Sequence, residues 1–273
     1  MTNFKTRVLT GIALVTVILG GIWLGSVYFA GLLVIINMLS LREFYRLLET
    51  PDTRPAGTAG YFLSSSLIIT TYIVSSGMGG WEWLLLNLAV GFGIFVASLY
   101  GPGYRPFQSL AVTFLGIICI CLPLCCFLAL PFLPKPGNIY HAQIPLSVFL
   151  LLWSNDSGAY LCGKLTGKHP LFKRISPKKT WEGSVGGAIV CLLMGYLISR
   201  HILLLTIADW LMLTFIIIIS GTYGDLIKSL LKRSLNVKDS GTILPGHGGM
   251  LDRFDSLLGS APFVLIYLIM VWR

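Results

Sequence analysis

The stretch Ser229-Leu-Leu-Lys-Arg-Ser-Leu-Asn-Val-Lys-Asp-Ser-Gly-Thr-Ile-Leu-Pro-Gly-His-Gly-Gly-Met-Leu-Asp-Arg-Phe-Asp255 is the densest block of charge in an otherwise apolar chain, and it lies between two hydrophobic segments, 207–228 and 257–272. Each of those segments is long enough to cross a bilayer, so the block reads as a polar loop held at a membrane face. Within and beside it, Lys228, Lys232, Arg233, Lys238 and Arg253 can hold anionic oxygens. Gly246, Gly248 and Gly249 allow close backbone approach to a ligand, and Asp239, Asp252 and Asp255 can hold a divalent cation. These are the parts that a phosphate and metal site requires.

Working outward, composition agrees with the membrane reading. Of 273 residues, 55% are hydrophobic and only 11% charged, with a mean hydropathy of +0.80. That excludes a soluble domain with one core and predicts an all-α, polytopic integral membrane protein. About nine transmembrane helices are expected, at 8–25, 27–41, 60–77, 82–99, 109–132, 144–163, 184–199, 207–228 and 257–272. The first lacks the small-residue cleavage site of a secretory signal, so it is expected to be a retained helix. Placing the N-terminus in the cytoplasm puts 17 of the 20 Lys and Arg on the inner side, leaving Lys135, Arg200 and Arg273 outside. The charged block is then cytoplasmic.

The net charge of +9 is carried beside spans and not on a soluble basic domain, which favours anionic lipid headgroups and nucleotide phosphates over nucleic acid. Cys119, Cys121, Cys125 and Cys126 fall in one apolar span, with Cys162 and Cys191 in others, and read as packing residues.

Residues 1–140 form an expected N-terminal scaffold with little chemistry, and 141–273 a catalytic region with cytoplasmic loops. In the scaffold, Arg42 to Glu49 reads as a helix end lying at the surface, with Glu43 part of it. Trp81 and Trp83 are expected as interfacial anchors, Gly101 to Pro106 as a tight inner loop, and Pro123 and Pro131 as kinks in the fifth span.

The sixth span changes character. Asp156, Tyr160, Gly163 and Gly167 recur at helical spacing on one face, and a carboxylate there calls for a polar cavity or a partner charge. The loop that follows contains Ser176-Pro-Lys-Lys-Thr180 ahead of a helix start, a cradle of hydroxyls and ammonium groups for phosphate oxygens. Asp225, Ser229 and Lys232 share a face at the end of the eighth span; an Asp225–Ser229 or Asp225–Lys228 contact is the structural alternative to a ligand site. Asp209, near the outer end of that span, reads as a cap or interface residue. Asp252 and Asp255 open the last span at i and i+3, followed on that face by Gly259. Two acids so close repel when ionised, which a cation relieves; salt bridges to Arg253-like neighbours are the alternative. His247, between glycines, is expected to bind or position phosphate.

The pattern Ser-x-x-Lys-Arg, Lys-Asp-x-Gly, then Leu-Pro-Gly-His-Gly-Gly-x-x-Asp-Arg-x-Asp, with Ser-Pro-Lys-Lys-Thr-Trp-Glu-Gly upstream, resembles the signature of phosphatidate cytidylyltransferases, also called CDP-diacylglycerol synthases. The later block alone fixes more than a dozen positions across 27 residues, and the resemblance covers about residues 150–258. It implies transfer of cytidylyl from CTP to phosphatidate, giving CDP-diacylglycerol and pyrophosphate, by a homodimer in the inner (plasma) membrane with its active site facing the cytoplasm. It also implies Mg2+ and a second, monovalent cation such as K+. On that basis Asp225, Asp252 and Asp255, supported by Asp156, are expected to hold the metal. Asp225, Asp252, Lys232 and Lys238 form the expected catalytic set. Ser176, Lys178, Lys179, Thr180, Arg233, His247, Gly248, Gly249 and Arg253 are expected to bind substrate. A CTP-dependent polyprenol or dolichol kinase, and a transporter or ion pathway, are the competing readings; there is no Walker A motif and no kinase signature set.

Overall fold

The computed structural model describes residues 2–100, 105–133, 138–246 and 248–272. His247, most of the loop expected at 101–106, Lys135 and Arg273 lie outside the described residues. The protein is all-α in character. The order is α1 (Thr2–Trp23), α2 (Ser26–Leu48), α3 (Gly57–Ser75), α4 (Glu82–Leu99), α5 (Pro106–Gly116), α6 (Leu122–Ala129), α7 (Gln143–Thr166), β1 (Pro170–Phe172), β2 (Ser176–Thr180), α8 (Trp181–His201), α9 (Ile207–Ser234) and α10 (Leu251–Val271).

Among the described residues, eight helical segments are long and apolar enough to cross a membrane. They match the expected segments except 144–163, which is the 24-residue helix α7 but is not among the eight. Side chains that a soluble protein would bury stand on the outside, as with Leu88, Phe92 and Leu99 of α4 and Leu9 and Ile12 of α1. Trp81 and Trp83 are exposed at the start of α4.

The chain divides into two units: Met1–Ala142 with Asp239–Arg253, and Gln143–Lys238 with Phe254–Arg273. The division falls within α10. In the first unit, helices are joined by interhelical hydrogen bonds of the kind that apolar surroundings favour. Asn37 Nδ2 donates to Ser64 Oγ at 2.8 Å, Asn87 Nδ2 to Thr70 Oγ1 at 2.8 Å, and Tyr45 Oη to the Thr113 carbonyl at 3.0 Å. Between α5 and α6 the helix widens into a π turn at Ile117–Cys121. Pro123 follows two residues after the turn ends, with no N–H to give and a ring that would strike the carbonyl of Cys119, so the wider turn absorbs a residue that an unbroken α-helix would not hold. Pro131 sits in a closing 3-10 turn, Leu130–Phe132.

The second unit is assembled through small residues. A Cβ on Gly158 would stand 3.1 Å from the Cα of Gly187, and one on Gly183 would stand 2.8 Å from the Ala159 carbonyl and 3.1 Å from the Cα of Gly163. The α7 and α8 backbones therefore touch along this seam, as the glycines on the Asp156 segment suggest. Between them the chain forms a feature that the sequence reading lacks. Residues 170–180 make an antiparallel hairpin, Pro170 opposite Thr180 and Phe172 opposite Ser176. Thr180 then caps α8, its Oγ1 accepting from the Gly183 amide at 3.1 Å.

Candidate active site

In the second unit, α9 and α10 cross where Gly224 meets Gly259. With no side chains between them, the two backbones close up, and the carboxyls of Asp225 and Asp255 come close enough to act on each other. Lys179, from β2, forms an ion pair with Asp225 Oδ2. Ser229 Oγ donates to Asp225 Oδ1 at 3.3 Å, the contact foreseen as the structural alternative for that face. Asp255 Oδ1 accepts from the Ser256 amide at 2.7 Å. Lys232 is half-buried and close enough for its charge to act on both carboxyls.

The hairpin that delivers Lys179 is itself pinned. Glu182, in the first turn of α8, accepts from the amides of Lys168 at 3.1 Å and His169 at 3.2 Å, and pairs with His169 Nδ1 at 2.5 Å. Arg233 Nε reaches across to the Ile175 carbonyl at 3.3 Å, and its Nη1 to the Val237 carbonyl at 3.3 Å. Lys178 is exposed, whereas Lys179 and Ser176 are half-buried. Asp156 lies exposed on α7.

In the first unit, the charged loop folds around two carboxylates. Asp252 Oδ2 accepts from the amides of Ser240 at 2.8 Å and Gly249 at 3.2 Å. The loop closes through an antiparallel bridge between Leu244 and Gly248, with Gly246 and Gly248 at φ of 77° and 84°, where a side chain would be strained. Glu43 is the second carboxylate and corrects the surface reading of its helix end: it is 4% exposed. It accepts from Ser240 Oγ at 3.0 Å and from the amides of Met250 and Leu251, each at 2.9 Å. Sequence reasoning missed it because Arg42, Arg46 and Glu49 surround it with charge. The available signal was its spacing, three residues after Ser40 and six after Asn37, both fully buried on α2. Arg253, Lys238 and Asp239 are exposed.

Among the described residues no three His, Cys, Asp or Glu side chains gather into a cage for a metal. In the second unit Asp225 and Asp255 come as a pair. That donor set fits Mg2+, which uses one or two carboxylates and completes its shell with water and substrate phosphates. The arrangement, a carboxylate pair edged by Lys179 and Lys232, can hold a cation and a polyanion together.

A model of the cytidylyltransferase family matches residues 5–271. A phosphatidate cytidylyltransferase of Bacillus subtilis is 32% identical over 276 residues, covering 98% of each chain. One from Staphylococcus haemolyticus is 32% identical over 272 residues, 97% of this chain and 99% of that one. Another, from Staphylococcus saprophyticus, is 50% identical over 128 residues, so that match spans 46% of this chain and 49% of the relative, about half its length.

Proposed function

This chain belongs to the cytidylyltransferase family, and on that premise we propose that it transfers cytidylyl from CTP to phosphatidate, giving CDP-diacylglycerol and pyrophosphate for phospholipid synthesis. The observation that carries the chemistry is the Asp225–Asp255 carboxyl pair with Lys179 beside it. It is a membrane enzyme, since its helices are long and apolar enough to span a bilayer. The bacterial relatives support the plasma membrane, and the distribution of Lys and Arg supports an active site open to the cytoplasm, where CTP is found.

The phosphatidate phosphate is already an anion at neutral pH, so the reaction needs no strong general base. A phosphate oxygen of the lipid forms a bond to the α-phosphorus of CTP while the bond to the bridging oxygen breaks, and pyrophosphate leaves with that electron pair. The protein's task is to align two polyanions and offset their repulsion. Asp225 and Asp255 would hold Mg2+, which when bound would supply positive charge to offset that of the CTP phosphates. Lys232, Arg233 and Lys238 stabilise the departing pyrophosphate. Lys178, exposed at the hairpin, receives the lipid headgroup with Ser176, while Lys179 is held at the carboxylate pair. Asp252 organises the loop that carries Gly248 and Gly249, and Asp156 supplies further negative charge on α7. Thr180 acts through the start of α8. The enzyme would work as a homodimer among membrane lipids and would use a monovalent cation such as K+ in addition to Mg2+.

The test is pyrophosphate release by the purified protein in detergent with CTP, with and without phosphatidate, Mg2+ and K+, beside Asp252→Asn. Release that requires both substrates and Mg2+ and fails in the variant is expected. Release of CDP from CTP with a polyprenol would instead assign a kinase, and a K+-independent rate would remove the monovalent ion.

A further inference from the structure

Glu43 stands outside the charged block by nearly two hundred residues, yet that block is folded around it. Its two carboxylate oxygens take three hydrogen bonds, all from residues 240–251. Two glycines of the block face the same carboxylate: a Cβ on Gly241 would stand 2.6 Å from Oε1, and one on Gly249 2.5 Å from Oε2. A side chain at 241 or 249 would therefore collide with the carboxylate, although neither glycine has a left-handed backbone. The amides of Met250 and Leu251 belong to the opening turn of α10, whose first N–H groups have no partner within the helix. A buried carboxylate there meets the positive end of the helix dipole, which offsets the cost of removing its charge from water. Among the described residues no Lys, Arg or His forms an ion pair with it. Ser240 joins the two carboxylates of the loop, giving its hydroxyl to Glu43 and its amide to Asp252.

We propose that Glu43 is a positioning residue for the cytidylyl transfer: it holds Ser240–Gly246 and Gly248–Leu251 in the one conformation that binds CTP, acting through Ser240 and the first turn of α10. The inference rests on the function proposed above. Glu43 touches no reacting atom in this role. A loop released from it samples other conformations, and CTP must select the competent one, so apparent affinity falls by the fraction populated. Glutamine at 43 is the same size but has no charge. It can present only one carbonyl oxygen, so its NH2 must face one of the donors that the carboxylate now serves.

Full-length wild type, Glu43→Gln, Glu43→Asp and Ser240→Ala are purified in detergent and compared by steady-state kinetics and amide hydrogen exchange. For Glu43→Gln the expectation is a KM for CTP raised about tenfold, with kcat and the phosphatidate KM within about threefold of wild type. Exchange at Met250 and Leu251 rises by a similar factor and is suppressed again by saturating CTP, while the amides of α3 and α8 keep their protection. Glu43→Asp, which keeps the charge, falls between wild type and the glutamine variant. Ser240→Ala, which removes one hydrogen bond and leaves the charge in place, shifts the CTP KM in the same direction by less, and carries the test if the glutamine variant does not fold. Wild-type CTP KM in Glu43→Gln and Ser240→Ala, or a fall in kcat with exchange raised throughout the protein, would overturn the positioning role while leaving the proposed function standing. A wild-type protein that makes no CDP-diacylglycerol would overturn the function, and the role with it.

Discussion

Gly224 and Gly259 meet backbone to backbone: a Cβ on Gly224 would stand 2.7 Å from the Cα of Gly259 and 2.9 Å from the carbonyl oxygen of Asp255. Backbone atoms cannot swing aside as a side chain can, so this crossing sets how closely α9 and α10 approach and brings Asp225 to Asp255. Replacing Gly224 by Ala is expected to destabilise the protein by about 1–3 kcal/mol, the usual cost of overpacking. It should also lower transfer activity by at least about tenfold through separation of the carboxyls. Gly93→Ala, with open space where its Cβ would go, should leave both unchanged. Thermal unfolding in detergent and product formation measure the two effects.

Lys179 and Lys178 are neighbours in sequence with different tasks. Lys179 pairs with Asp225, and removing one partner of a shielded pair leaves the other charge uncompensated beside Asp255. Lys179→Gln is therefore expected to reduce kcat/KM by about tenfold or more, whereas Lys178→Gln raises mainly the phosphatidate KM by a few-fold. Equal effects on both parameters in both variants would refute the division.

Asp255→Asn removes one charge from the carboxylate pair while conserving its shape. The concentration of Mg2+ giving half-maximal rate should rise about tenfold or more, since the cation loses one of its two anionic ligands. An unchanged Mg2+ dependence, measured at fixed saturating CTP, would remove Asp255 from the metal assignment.

Glu182 ties the 168–169 turn to α8 through three hydrogen bonds. Glu182→Ala is expected to loosen the hairpin, so trypsin should cut at Lys173 and Arg174 several times faster, on the order of what loss of local order produces. In sealed vesicles that cleavage should occur only when the cytoplasmic face is outward; cleavage from the opposite face would reverse the proposed orientation.

At the far end of α9, Asp209 accepts from Tyr267 Oη at 2.9 Å and from Thr206 Oγ1 at 2.6 Å. Thr206 is the cap itself, its Oγ1 accepting from the Asp209 amide at 3.2 Å, and Asp209, expected as a cap or interface residue, holds that hydroxyl and ties it to α10 through Tyr267. Asp209→Asn should cost about 1 kcal/mol of stability, as weakening of hydrogen bonds to a charged acceptor does, with no change in kinetics. Any loss of turnover at full saturation would place it in the catalytic machinery instead.

Much of this protein was legible in its sequence because the signals are local. Long apolar segments must form helices in a bilayer, since every backbone group there has to be satisfied within the segment. The spacing of Asp225, Ser229 and Lys232 on one helix puts Ser229 in reach of Asp225 without reference to any other element. The block from Ser229 to Asp255 likewise raises the expectation of phosphate chemistry through residue type alone, which the proposed function takes up. Partnerships between distant segments were not legible. The hairpin at 170–180 depends on three- and five-residue strands too short to leave a periodic pattern. Lys179 looks like any cytoplasmic lysine until that hairpin lays it on Asp225. Glu43, in a charged helix end, becomes a buried carboxylate only because α10 begins beside it and brings two unpaired amides and the Ser240 hydroxyl. Helix identity follows from periodicity along one segment, but which carboxylate meets which donor is a property of segments far apart in the chain, and tertiary packing alone decided it.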